Sequence, residues 1–314
     1  MDTVMELEIN GDEALLRDAE GMIRSIEKDL SVTDENSSIS RLNREKYATL
    51  SGDAAKILQG ALEVCDRTDG SLDISVYPVL RAWGFTTSSY MVPSDDEIKE
   101  LLTGVDYSII ETKENTDGSI DVSIADNAEV DLGSVTKGYT GSVLSAYLKD
   151  KGVKSALLNL GGNVECIGRK TNGEKWKVAV KSPFEDSKSG ILGVYAAEDE
   201  AVITSGGYER YFEENGEKYW HILDPHTGKP ARSGLSSVTV IGENGLVCDG
   251  LSTALFVKGL DEAIGIWRAS EDFEAVFVTE ERGIYVTEGI AADFKLSPEY
   301  SDLAVNVVSR QEDR

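Results

Sequence analysis

An α+β, or mixed α/β, fold is predicted for this 314-residue chain, with a largely antiparallel central sheet flanked by helices. Two patterns predict it. Apolar residues recur at helical spacing in separate stretches, and strand-length runs that alternate or are continuously apolar lie between them. The strands crowd into the middle third, so the helices must pack around a sheet. No repeat, low-complexity block or linker divides the chain, and residues 1–314 read as one domain.

The first strand-like stretch spans residues 5–10. Residues 12–30 then read as an amphipathic helix through Leu15, Leu16, Ala19, Met22, Ile23, Ile26 and Leu30. Ile57, Leu58, Ala61, Leu62 and Cys65 repeat the spacing over 53–65. Ser94 with Glu97 three residues on is a capping box opening a short helix through Leu102, with Gly104 to stop it. Residues 120–124, 176–180 and 237–241 alternate as half-buried strands do, while 156–160 and 275–278 are apolar enough for buried ones. Residues 137–151 form a further helix with Val143, Leu144, Tyr147 and Leu148 on one face. From about Ser297 the chain is polar and acidic and is expected to fray.

Hydrophobic residues make up 40% of the chain, enough for a sizeable core. There are 31 basic against 57 acidic residues, a net charge of -26. That field repels phosphate backbones, which excludes nucleic acid as a partner and disfavours an anionic membrane surface. An anionic cofactor would need a local metal ion or backbone N–H groups. Cys65, Cys166 and Cys248 are widely spaced and odd in number, which fits neither a disulfide framework nor a zinc site. No apolar run approaches the roughly 20 residues of a membrane span, and no charged-then-apolar export segment opens the chain. Composition alone leaves open a cytoplasmic protein and an exported one whose signal segment is gone.

Four segments carry chemistry. In Asp249-Gly-Leu-Ser-Thr253, a helix would put Asp249, Ser252 and Thr253 on one face, a hard-oxygen set suited to Mg²⁺ but too small to enclose it. Asp249 also suits an ordinary N-cap. Asp131-Leu-Gly-Ser-Val-Thr-Lys137 leads from a strand-like stretch into a helix. Gly133 there permits close backbone approach, and Lys137 offers charge to phosphate, although a plain turn would read the same way. Gly161 and Gly162, at a strand end, suit backbone approach to a cofactor or a simple turn. Both histidines fall in the segment 221–230. His221 follows a strand-like run that would fix its direction and is the candidate general base, whereas His226 lies in the Asp224-Pro225 turn. Trp83, beside Gly84 and Phe85, could pack on a flat ring.

Taken in order, these segments resemble the ApbE family of flavin transferases. The resemblance rests on Met1-Asp-Thr3, Ser37-Ser-Ile-Ser-Arg-Leu-Asn43, Asp73-Ile-Ser-Val-Tyr-Pro78 with Trp83-Gly84, Asp131-Leu-Gly with Lys137-Gly138, Asn159-Leu-Gly-Gly162, Ser205-Gly with Tyr208, His221-Ile-Leu-Asp-Pro-His-Thr-Gly228 and Asp249 with Ser252-Thr253. It implies Mg²⁺ and FAD, and transfer of FMN from FAD to a threonine hydroxyl of an acceptor protein with release of AMP. Such acceptors are subunits of membrane redox pumps or reductases. The alternatives are hydrolysis of FAD to FMN and AMP, or flavin binding without turnover. The resemblance assigns the metal to Asp249, Ser252 or its carbonyl, Thr253 and the carbonyl of Ser134. It assigns FAD contacts to Met1, Thr33, Asp131, Lys137, the Trp83-Gly84-Phe85 turn, Leu223 and the Gly161–Gly162 pair, and proton removal to His221. Asp2, Ser142 and Gly207 depart from the family pattern, as does Thr33, which stands near a position often occupied by a flavin-covering tyrosine. Family members are commonly exported and lipid-anchored, so export with a signal segment ahead of residue 1 is expected, and a cytoplasmic location stays open.

Overall fold

The computed structural model describes residues 3–87 and 89–311, so Met1 lies outside the described residues. Among these, the largest sheet has eight strands. Its spatial order is Met5–Ile9, Ser155–Leu160, Asn163–Gly168, Ala201–Gly206, Leu235–Gly242, Glu274–Thr279, Ile284–Thr287 and Val305–Val308. Every pairing in it is antiparallel except the last, where Val305–Val308 runs parallel to Ile284–Thr287. The expected fraying after Ser297 is therefore overturned. Val308 is buried, and the polar stretch before it is anchored by a strand too short to read in isolation.

Alternation along the strands builds two layers. Ala201 and Ile203 join a helical core, while Val202 faces the other way. The helical side carries Gly52–Arg67, Gly133–Asp150 and Gly245–Lys258. The opposite side is covered by a three-stranded sheet of Trp176–Lys181, Ile191–Ala197 and Phe294–Leu296. Ala14–Leu30 is the first helix, and the Ser94 hydroxyl accepts from Glu97 N at the start of Asp95–Leu101, as the capping box required. One boundary moves: the helix expected over 137–151 begins at Gly133. Its first turn contains Gly133 and Ser134, weak helix formers without apolar periodicity, so local pattern does not reveal it.

Candidate active site

Two helices meet where both have shed their side chains. A Cβ on Gly138 would lie 2.0 Å from the Gly245 carbonyl oxygen, and one on Gly245 would lie 2.4 Å from that of Gly138. This backbone contact brings Asp249 onto the first turns of the Gly133–Asp150 helix. Asn244, not Asp249, caps the Gly245–Lys258 helix, its side chain accepting from Val247 N. Asp249 and Thr253 thus lie one turn apart on one face inside that helix, and the capping alternative for Asp249 falls. Asp249 Oδ2 accepts the Gly138 N–H at 2.8 Å. The residue is only 4% exposed. Burial raises its pKa, opposed by the Lys137 charge and the Gly138 N–H.

A regular helix gives the Gly138 N–H to the Ser134 carbonyl; here Asp249 competes for it. Ser205, at the end of Ala201–Gly206, brings a hydroxyl 2.8 Å from Ser252 Oγ and 3.3 Å from Thr253 Oγ1. The expectation for the Ser252 side chain needs correction. It is fully buried, donates to the Asp249 carbonyl at 2.8 Å and does not line the cavity. Ser205 presents the wall hydroxyl in its place.

These groups face a cavity of about 290 Å³. Asp131, Ser134, Lys137, Gly161, His221, Leu223, Asp249 and Thr253 all line it, so the structure brings together most of the residues singled out along the chain. Four carboxylates line it (Asp73, Asp131, Glu209 and Asp249) against two cations, Lys137 and Arg210. Asp131 Oδ1 accepts from Gly133 N at 2.8 Å, and burial pushes its carboxyl pKa up.

His221 follows the strand Glu217–Trp220. Its backbone N–H donates to the Arg210 carbonyl at 3.0 Å, and its Nδ1 lies 3.1 Å from the same oxygen. A carbonyl only accepts, so Nδ1 carries the hydrogen and Nε2 keeps a free lone pair. Desolvation in the cavity wall lowers the His221 pKa to about 4, with Arg210 and Lys137 adding repulsion. The ring is therefore neutral at neutral pH. His226 is exposed in its turn, as expected, with its N–H on Asp224 Oδ1.

Five described residues expected to contact the cofactor, Thr33, Trp83, Gly84, Phe85 and Gly162, do not line the cavity. Trp83 is 2% exposed and donates Nε1–H to the Gly228 carbonyl at 2.8 Å; Phe85 is fully buried. Both belong to a separate core with Val79, Ile98 and Leu223, and Gly84 between them turns the chain. That core abuts the cavity through Leu223 and through Phe85, whose ring centroid lies 6.2 Å from that of His221. Thr33 is exposed after the first helix, its hydroxyl 3.1 Å from Ser31 Oγ. Gly162 shares the positive-φ turn with Gly161 but stays off the cavity lining. Conversely, Asn163, Ser205 and Arg210 line it although no site role was assigned to them, because no spacing links them to Asp249 or His221.

Among the described residues no three His, Cys, Asp or Glu side chains converge as a metal cluster. One buried carboxylate with neighbouring hydroxyls remains, its charge eased by the Gly138 N–H and the Asn163 side chain. This donor set fits a hard cation whose shell is completed by water and ligand oxygens, as Mg²⁺ commonly is with phosphates.

The ApbE family profile matches residues 1–277. An FAD:protein FMN transferase of Klebsiella pneumoniae (strain 342) is 31% identical over 280 residues, covering 88% of this chain and 85% of that protein. A crystal structure of the ApbE protein from Thermotoga maritima superposes with a TM-score of 0.82 at 29% identity, over 91% of this chain and 94% of the other. The flavin transferase ApbE from Vibrio cholerae shares the fold, with a TM-score of 0.79 at 22% identity over 97% and 96% of the two chains.

Proposed function

The chain belongs to the ApbE family, and we propose that it moves FMN from FAD to a threonine hydroxyl of an acceptor protein, using Mg²⁺ held at Asp249 and Thr253. FMN transfer from FAD to an acceptor is the activity in the names of its relatives. The observation that carries the metal and base assignments is one cavity lined both by the buried Asp249–Thr253 face and by a neutral His221.

A pyrophosphate entering this cavity meets four carboxylates and two cations. Mg²⁺ bound at Asp249 and Thr253, with the Ser134 carbonyl, would neutralise the pyrophosphate and stabilise AMP as it leaves. Lys137, near the start of its helix, adds a point charge for a phosphate oxygen. His221 Nε2 takes the proton of the acceptor hydroxyl as its oxygen attacks the FMN phosphorus, and the bond from that phosphorus to the AMP oxygen breaks. The Arg210 carbonyl holds the ring in the tautomer this requires.

Incubation with FAD, Mg²⁺ and a candidate acceptor tests the proposal. Covalent flavin fluorescence on the acceptor, matched by AMP, supports it. Free FMN and AMP alone would make water the acceptor, and retained FAD without AMP would leave a binding protein. A redox-pump or reductase subunit as acceptor, and export with membrane anchoring, are proposed from the family resemblance only. Among the described residues no helix is long and apolar enough to cross a membrane.

A further inference from the structure

The turn Asn215-Gly216 joins the strands Tyr211–Glu214 and Glu217–Trp220, with φ of 53° and 80° at its two residues. Positive φ at both is what a tight two-residue hairpin demands. The turn fixes the register, pairing Glu214 with Glu217 and Tyr211 with Trp220. One step further along, the His221 N–H donates to the Arg210 carbonyl at 3.0 Å, so these two residues stand opposite each other. Opposite residues on an antiparallel ribbon share a face. Arg210 and His221 accordingly line the same cavity.

Arg210 is exposed there, and its charge reaches two other groups of the lining. It opposes the burial that raises the Asp131 pKa, and adds to the burial that lowers that of His221. Of the two cations in the cavity, Arg210 acts more strongly on His221, whereas Lys137 is the one that acts on Asp249. The Arg210 Nη2 donates to the Phe85 carbonyl. A guanidinium carries five N–H groups, so four remain for another acceptor. Four carboxylates line the cavity, yet among the described residues none forms an ion pair with Arg210. Its chain neighbour Glu209 is held by Lys181 instead, at 3.1 Å. A planar, permanently charged fork left open beside the proton acceptor suits the oxygens of a phosphoryl group.

We propose that the Arg210 guanidinium donates to the non-bridging oxygens of the FMN phosphoryl group as it passes from FAD to the acceptor, and is a further catalytic residue of this site. The proposal rests on the transfer reading above. The acceptor oxygen bonds to that phosphorus, its proton goes to His221 Nε2, and the bond to the AMP oxygen breaks; Arg210 gives up no proton. Its donors meet the charge on the phosphoryl oxygens during the transfer, from the same ribbon face as the base. The tautomer of His221 does not depend on the side chain at 210, because the main-chain carbonyl sets it.

The test follows AMP release with FAD, Mg²⁺ and the acceptor flavinylated in the assay above, in wild type, Arg210→Ala and Arg210→Lys. Arg210→Ala should lower kcat on the order of 10²–10³-fold, as loss of a donor to developing charge does, while FAD affinity falls less than about tenfold. Guanidinium chloride, far below denaturing concentrations, should restore part of the rate where equal NaCl does not. Arg210→Lys keeps the charge but loses the fork, and should stay at least about tenfold below wild type. A wild-type kcat in Arg210→Ala overturns the proposal. So does a slow variant that guanidinium does not rescue, which would make Arg210 a clamp on the Phe85 turn. A loss of FAD affinity as large as the loss of rate also overturns it, leaving Arg210 a binding residue only. Wild-type protein that flavinylates no acceptor overturns the transfer reading, and the inference with it.

Discussion

The Gly138 N–H donates to Asp249 Oδ2 at 2.8 Å, joining the start of one helix to the interior of another across 111 positions of sequence. This contact does three things. It draws the Asp249 carboxylate to the cavity, partly satisfies a buried charge, and competes with the Ser134 carbonyl for its helical donor. It exists only because Gly138 and Gly245 let the two backbones touch.

Gly138→Ala should therefore be among the most damaging small substitutions in the chain. Its Cβ would meet a backbone oxygen at 2.0 Å, and no side-chain rotation relieves that. The expected loss is at least about 2–3 kcal/mol. Denaturant midpoints measure it, and a wild-type midpoint would mean that the helices separate freely.

Asp249→Asn keeps an acceptor for Gly138 and removes the charge. AMP release from FAD should fall on the order of 10²–10³-fold at saturating Mg²⁺. Thermal stability should hold or rise, because the desolvated carboxylate is gone. Titrating Mg²⁺ against AMP release, beside a melting curve, separates loss of the metal from loss of the fold.

For His221→Asn the expected result is a fall in transfer of about 10²–10⁴-fold with FAD binding retained. His221 has a folded pKa of about 4, below the 6.5 of an ordinary histidine. As the pH falls, the unfolded chain takes up this proton first. The stability from keeping His221 neutral is full above 6.5 and is lost between 6.5 and 4. The rate should likewise show no acid limb from His221 between pH 6 and 8. A limb in that window that disappears in the variant would contradict the assignment.

Glu165, 6% exposed in the sheet, is the counterpart of opposite sign. Burial raises its pKa to about 7 from 4.5. The folded state holds this proton more tightly, so its contribution is full below 4.5 and is lost as the pH rises through 7. Glu165→Gln should gain on the order of 2–3 kcal/mol relative to wild type at pH 8, with little change at pH 4.5. Unfolding midpoints at the two pH values decide it; parallel profiles would remove Glu165 as a source of pH dependence.

The sequence by itself determined the fold class, most strands, the Ser94 cap and the collinear segments that carry Asp131, Lys137, His221, Asp249 and Thr253. These were legible because local periodicity and motif spacing are properties of neighbouring residues. Tertiary structure alone decided that Asp249 sits inside a helix rather than at its cap, that Ser205 rather than Ser252 faces the cavity, and that Trp83 and Phe85 pack into a core beside the cavity. It also decided that Asn163 and Arg210 reach the site, and that the polar end of the chain closes the large sheet. Each of these depends on which backbones approach one another and on which side chains that approach brings together. Both are set by contacts between residues far apart in the chain, which local pattern does not encode.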